Sequence, residues 1–137
     1  MLEVGPGHGL LLALAAERQR GSVVGWDVSA TSLVATRRAL EAMGARSVRL
    51  VHRDLLRAGV DGSFDAVVAS ELLEHLDRPH EALERLHALL RPGGHLFLNI
   101  PVNSPPRTTS RCGAARRRST PSPPVRVWNR CGPMDSR

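Results

Sequence analysis

The chain has 137 residues and a formal net charge of +6, with nineteen basic residues against thirteen Asp and Glu and 42% hydrophobic residues. That length suits one domain with a real core, and no apolar run approaches the ~20 residues of a membrane-spanning helix, so neither a multidomain array nor a membrane-embedded protein is expected. The charge is divided unevenly: residues 1–104 balance to −1 and residues 105–137 to +7, so the basicity that would otherwise point to nucleic acid belongs to the tail. Glu3 and the glycines behind it interrupt the start too soon for a signal peptide, and a cytoplasmic protein is the expectation. Cys112 and Cys131 lie in the tail without metal-site spacing, which argues against zinc and against a disulfide framework.

Leu2 to Val4 reads as a short strand, and Gly5-Pro6-Gly7-His8-Gly9 turns it directly into a helix over Leu10 to Arg20. Glycines at alternate positions let backbone turn sharply and approach a ligand closely, and a helix N-terminus adds unpaired N–H donors, so the segment reads as a nucleotide-type cofactor loop. A dinucleotide fingerprint, Gly-x-Gly-x-x-Gly, needs its third glycine at position 10, where this chain has Leu10; the third glycine is Gly9. Glu3 is an acid within an apolar strand, which calls for a partner or a purpose.

A second strand is expected over Ser22 to Val28. It delivers Asp27 to its end, about twenty residues past the loop, where a carboxylate can accept from two vicinal ribose hydroxyls. Ser29 caps a helix over Thr31 to Met43 that Gly44 stops. The third strand, Val48 to His52, is followed by Asp54, an acceptor suited to an exocyclic amine, and residues 55–63 read as a loop or one weak helical turn. Phe64 to Ala69 is the fourth strand, with Ser70 at its C-terminal end and a short helix near Glu71 to Leu76. Glu71 and His75, spaced i, i+4, fit either a base and its partner or ordinary helix-surface pairing. A helix over His80 to Leu90 places His80, Glu84 and His87 on one face without the spacing of a zinc site. Arg91-Pro92-Gly93-Gly94 then turns into a fifth strand, His95 to Ile100. Alternation of strand and helix predicts a parallel α/β sheet.

From Ser104 the character changes: Pro105-Pro106, Arg116-Arg117-Arg118 and Pro123-Pro124 stand in a stretch without periodicity, and residues 105–137 are expected to be a disordered basic tail. One reading makes it a basic arm for nucleic acid or an acidic partner. Another makes it a frameshift product starting near Pro105, because a one-base shift of GC-rich codons over Ala114 to Ser122 yields a helix-forming string.

Glu3-x-Gly5-x-Gly7-x-Gly9 at a strand end resembles motif I of the class I S-adenosylmethionine-dependent methyltransferases. Asp27, Asp54, the Phe64 to Leu76 segment and Arg91 to Gly94 extend the resemblance over residues 2–103. It implies a Rossmann-like, doubly wound parallel sheet in the order 3-2-1-4-5, lacking the last two strands of the family fold and the helical segment that usually precedes motif I. It implies S-adenosylmethionine as methyl donor: Gly5, Gly7 and Gly9 as its loop, Glu3 orienting the loop or the methionine amino group, and Asp27 on the ribose. Val28 would lie against the adenine, Asp54 on its amine with the Leu55 N–H facing the ring, and Ser70 on the methionine side. No residue is assigned as catalytic and no metal is expected. The acceptor is expected to be a small molecule, with nucleic acid not favoured. A truncated, non-catalytic fragment that at most binds the cofactor is the alternative, and Leu10 weighs against a nicotinamide-dependent enzyme.

Overall fold

The computed structural model describes residues 1–18, 21–57, 59 and 63–101. The expectations for residues 105–137 lie outside them. Each apolar run becomes a strand: β1 (Leu2–Val4), β2 (Val24–Asp27), β3 (Arg49–His52), β4 (Phe64–Ser70) and β5 (Leu90–Asn99). The helices are α1 (Leu10–Arg18), α2 (Ala30–Ala42) and α3 (Pro79–Ala88), with a 3₁₀ turn over Leu73–His75. The strands form one sheet in the order β3-β2-β1-β4-β5, and every pairing is parallel. The order reverses beside β1, so the chain leaves β1 toward β2 on one side and reaches β4 on the other. In open α/β sheets such a reversal is where ligands bind, outside the C-terminal strand ends.

Period-two alternation divides the core between the two faces of the sheet. Leu2, Val4, Trp26, Val67 and Ala69 join Leu86 and Leu89 on the α3 side, while Leu12, Ala15 and Leu40 pack with Val23 and Val48 on the other. Glu3, between Leu2 and Val4, pairs in register with Gly25 of β2 and Val68 of β4. The helix ends follow local chemistry. The Ser29 hydroxyl accepts from Ser32 N–H at 3.1 Å and caps α2. Gly44, at φ +76°, closes it with a Gly44 N–H bond to Glu41 O and an Ala45 N–H bond to Leu40 O, leaving Leu40 and Ala45 together in the core.

Two elements differ from the sequence pattern. The helix expected to reach Leu90 ends at Ala88, and β5 begins at Leu90 rather than His95. Phe64 pairs with Leu90 and Ala66 with His95, so the four residues 91–94 lie opposite Asp65 alone. The Arg-Pro-Gly-Gly turn is therefore a bulge inside the strand, with Gly93 at φ +79° and Arg91 ion-paired to Asp65. The short helix expected over Glu71 to Leu76 contracts to three residues. Glu71 falls outside it, so the i, i+4 helix-surface pairing with His75 does not form.

The loop after β1 sets the position of α1. Gly5, Gly7 and Gly9 have φ of +70°, +51° and +75°, a region that costs an L-residue about 1–2 kcal/mol. A Cβ on Gly9 would also stand 3.0 Å from Thr36 Cγ2 and 3.2 Å from Leu40, whereas one on Gly7 would meet nothing within 4 Å. Gly9→Ala is expected to lower the unfolding free energy by about 3 kcal/mol and Gly7→Ala by about 1 kcal/mol, in urea denaturation without ligand. Equal losses would contradict the packing assigned to Gly9.

Candidate functional site

The C-terminal ends of β1, β2, β3 and β4 carry the residues singled out from the sequence, and the glycine loop joins them at the first. Gly5 N–H donates to Trp26 O at 2.8 Å and Gly9 N–H to Pro6 O at 2.8 Å, so two of the loop's donors are spent inside the protein. Among the described residues no hydrogen bond involves the amides of Gly7 and His8, both exposed. These are the donors the loop offers. A buried hydroxyl fixes the loop from behind: Thr36, fully buried on α2, holds its one hydroxyl proton between Gly7 O at 2.5 Å and Ser32 O at 2.8 Å. Thr36 was not distinguishable in the sequence from any other residue of a helix face.

Glu3 is 4% exposed, and its Oε2 is buried without a hydrogen-bond partner among the described residues. Among the described residues it forms no ion pair, so the carboxyl is not there to neutralise a buried arginine. Burial alone raises its pKa from 4.5 to about 7.

Asp27 ends β2 and Val28 follows it, exposed. Asp27 Oδ1 accepts from Ser29 N–H at 2.8 Å, which leaves Oδ2 as its available acceptor. The Val28 carbonyl accepts from His52 Nε2 at 2.8 Å, tying the ends of β2 and β3. Past β3, Asp54 Oδ1 accepts from Leu56 N–H at 2.9 Å and Oδ2 lies 3.4 Å from Arg57 Nε. Both oxygens thus hold a local turn, and any ligand amine must use their remaining lone pairs. Leu55 buries its side chain in the core, so the backbone is what it can present.

At the end of β4, Ser70 Oγ accepts from Asn99 Nδ2 at 3.1 Å, and Glu71 N–H donates to Asn99 O at 2.8 Å. Asn99, unmarked by any motif or spacing, brackets this rim. Glu71 adopts φ +51°, the one positive φ at a non-glycine among the described residues. Such strain concentrates where a fold presents functional groups.

A family model described as a methyltransferase domain matches residues 2–96. The ubiquinone biosynthesis O-methyltransferase of Pseudomonas paraeruginosa is 33% identical over 108 residues, which cover 78% of this chain and 46% of that protein. Among solved structures, the S-adenosylmethionine-bound amino pentose methyltransferase CalS10 of Micromonospora echinaspora is 29% identical with a TM-score of 0.63, covering 72% of this chain and 41% of that one. The [4+2]-cyclase SpnF is 26% identical with a TM-score of 0.62, covering 69% and 36%. The chain spans less than half the length of these relatives.

The isolated carboxyl of Glu3 makes stability depend on pH. Unfolded, it titrates near 4.5; folded, it stays protonated up to about 7. The folded chain binds the extra proton between these values, so the stability this confers is complete below pH 4.5 and lost as the pH rises through 7, a difference of about 3 kcal/mol. Glu3→Gln, neutral at every pH, is expected to flatten that decline in denaturation curves taken from pH 4.5 to 8. An unchanged slope would contradict the burial of an unpaired carboxyl.

Proposed function

The chain belongs to the class I S-adenosylmethionine-dependent methyltransferases, and from that premise we infer that it binds the nucleoside of S-adenosylmethionine across β1, β2 and β3 and transfers its methyl group to a small-molecule acceptor in the cytoplasm. The observation that carries this reading is Glu3. A buried carboxylate oxygen without a partner, two residues before a loop of three left-handed glycines, suits a ligand that brings an ammonium group and needs close backbone approach. The residues present therefore fit the cofactor. The names of the relatives support a small acceptor, one referring to ubiquinone biosynthesis and one to an amino pentose. No helix among the described residues is long and apolar enough to cross a membrane.

S-adenosylmethionine, when bound, supplies a methyl group on a sulfonium that an acceptor nucleophile can attack in line. The chain's own residues bind and orient. Gly7 and His8 present their free amides, with Gly5 and Gly9 shaping the turn. Glu3 receives the amino group, an approach that favours its ionised form. Asp27 turns Oδ2 to the ribose hydroxyls while Oδ1 stays with Ser29. Val28 gives an apolar face to the adenine, and Asp54 and the Leu55 backbone meet its edge. Ser70 lines the methionine side, and the rim it forms with Glu71 and Asn99 is where an acceptor would enter. Holding two reactants in line at this rim is the contribution these residues make to catalysis.

Asp27→Asn tests the ribose contact without removing the acceptor that Ser29 needs. Calorimetric titration with S-adenosylhomocysteine is expected to give saturable binding to the 137-residue chain and a 10- to 100-fold loss in Asp27→Asn, the range for a hydrogen bond to a charged group. Binding of NAD in place of the sulfonium ligand and its product would overturn the reading.

A further inference from the structure

The nucleoside site proposed above has three walls: the glycine loop, the end of β2 and the turn after β3. Its ligands came from the loop and the carboxylates, and none of them accounts for how the walls are held in register. Arg53, the first residue past His52, touches the second and third directly and reaches the first through Trp26. Its backbone N–H donates to Asp27 O at 2.9 Å. Its guanidinium carbon lies 4.5 Å from the ring centroid of Trp26, the residue before Asp27. The Trp26 carbonyl holds Gly5 N–H at 2.8 Å. Arg53 Nη2 donates to Gly59 O at 2.8 Å, beyond the turn that Asp54 organises.

Trp26 gives the contact its rigidity. The ring is 4% exposed and meets Phe64 of β4 edge to face at a centroid distance of 6.1 Å. It cannot shift without disturbing the core, so a cation stacked on it is held against a fixed surface. A guanidinium on an indole face is worth about 0.5–2 kcal/mol, rising as the pair is desolvated. Its planar fork can stack and donate at once, which an ammonium does less well.

We propose that Arg53 is a positioning residue for the nucleoside site, its guanidinium stacking on Trp26 and bonding the Gly59 carbonyl so that the end of β2 and the adenine-side turn meet the glycine loop in one geometry. The inference rests on the nucleoside site itself. The Arg53 side chain acts through Trp26 and Gly59 and need not touch the ligand. Its effect therefore falls on the nucleoside half, and is the same whether or not the ligand carries an amino acid.

Two ligands separate this from a general stabilising role: S-adenosylhomocysteine, and 5′-methylthioadenosine, which keeps the nucleoside and lacks the amino acid. Arg53→Met retains the apolar stem and removes the cation; it is expected to raise the Kd of both ligands about tenfold, the equivalent of about 1.4 kcal/mol. Arg53→Lys, which restores a cation over the ring, is expected to recover all but about threefold. A merely structural contact would lower the ligand-free melting temperature and leave both affinities, read well below melting, unchanged. That result overturns the role of Arg53 while leaving the site in place. Equal loss for the two ligands supports it, and loss confined to S-adenosylhomocysteine contradicts it. Should Arg53→Met fail to fold, the threefold change in Arg53→Lys against no change carries the same decision. Failure of the unsubstituted chain to bind either ligand overturns the nucleoside site and this proposal with it.

Discussion

The Thr36 residue is fully buried with its hydroxyl between the carbonyls of Gly7 and Ser32, and the placement of the glycine loop depends on it. Three positive-φ glycines make the loop after β1 sharp, but sharpness alone leaves it free to move. The hydroxyl gives the Gly7 carbonyl a partner, and the Thr36 methyl stands where a side chain on Gly9 would have to go. The loop is thus pressed against α2, and α2 is itself fixed by the Ser29 cap and the Gly44 terminus. Strand, loop and helix end form one rigid unit. The N–H groups divide accordingly: Gly5 bonds Trp26 of β2, Gly9 closes the turn on Pro6, and Gly7 and His8 are exposed without partners among the described residues.

Most of the architecture was legible in the sequence because its signals are local. Alternating apolar runs and helical patterns located five strands and the principal helices, Ser29 and Gly44 marked the ends of α2, and the family resemblance supplied the strand order that the sheet adopts. The departures are where tertiary pairing decides. Arg91 to Gly94 carries every mark of a helix stop, yet Leu90 finds a partner in Phe64 across the sheet, so strand pairing begins before the turn and the turn survives as a bulge. Likewise Glu71 looked like a helix position until its N–H was taken by Asn99 and its backbone went left-handed.

The site was legible as residue types rather than as partners. Glycines and strand-end acids stand out by spacing, so Glu3, Asp27 and Asp54 could be named. Their hydrogen bonds could not: Asp27 shares its carboxylate with Ser29, Asp54 spends both oxygens on its own turn, and Glu3 has an oxygen with no partner among the described residues. Thr36, Asn99 and Arg53 went unnoticed because each matters through a residue distant in sequence. The likeness to a [4+2]-cyclase as well as to methyltransferases shows why these details matter, since a shared sheet does not by itself fix the chemistry performed on it.

Amide hydrogen exchange followed by NMR, with and without S-adenosylhomocysteine, reads the central claim at single residues. The Gly7 and His8 N–H groups, without partners among the described residues, should exchange rapidly in the free chain and slow markedly on binding. Those of Gly5 and Gly9, already bonded to Trp26 and Pro6, should change little. Binding that leaves Gly7 and His8 as fast as before, or that protects β5 instead, would contradict a cofactor site built on this loop.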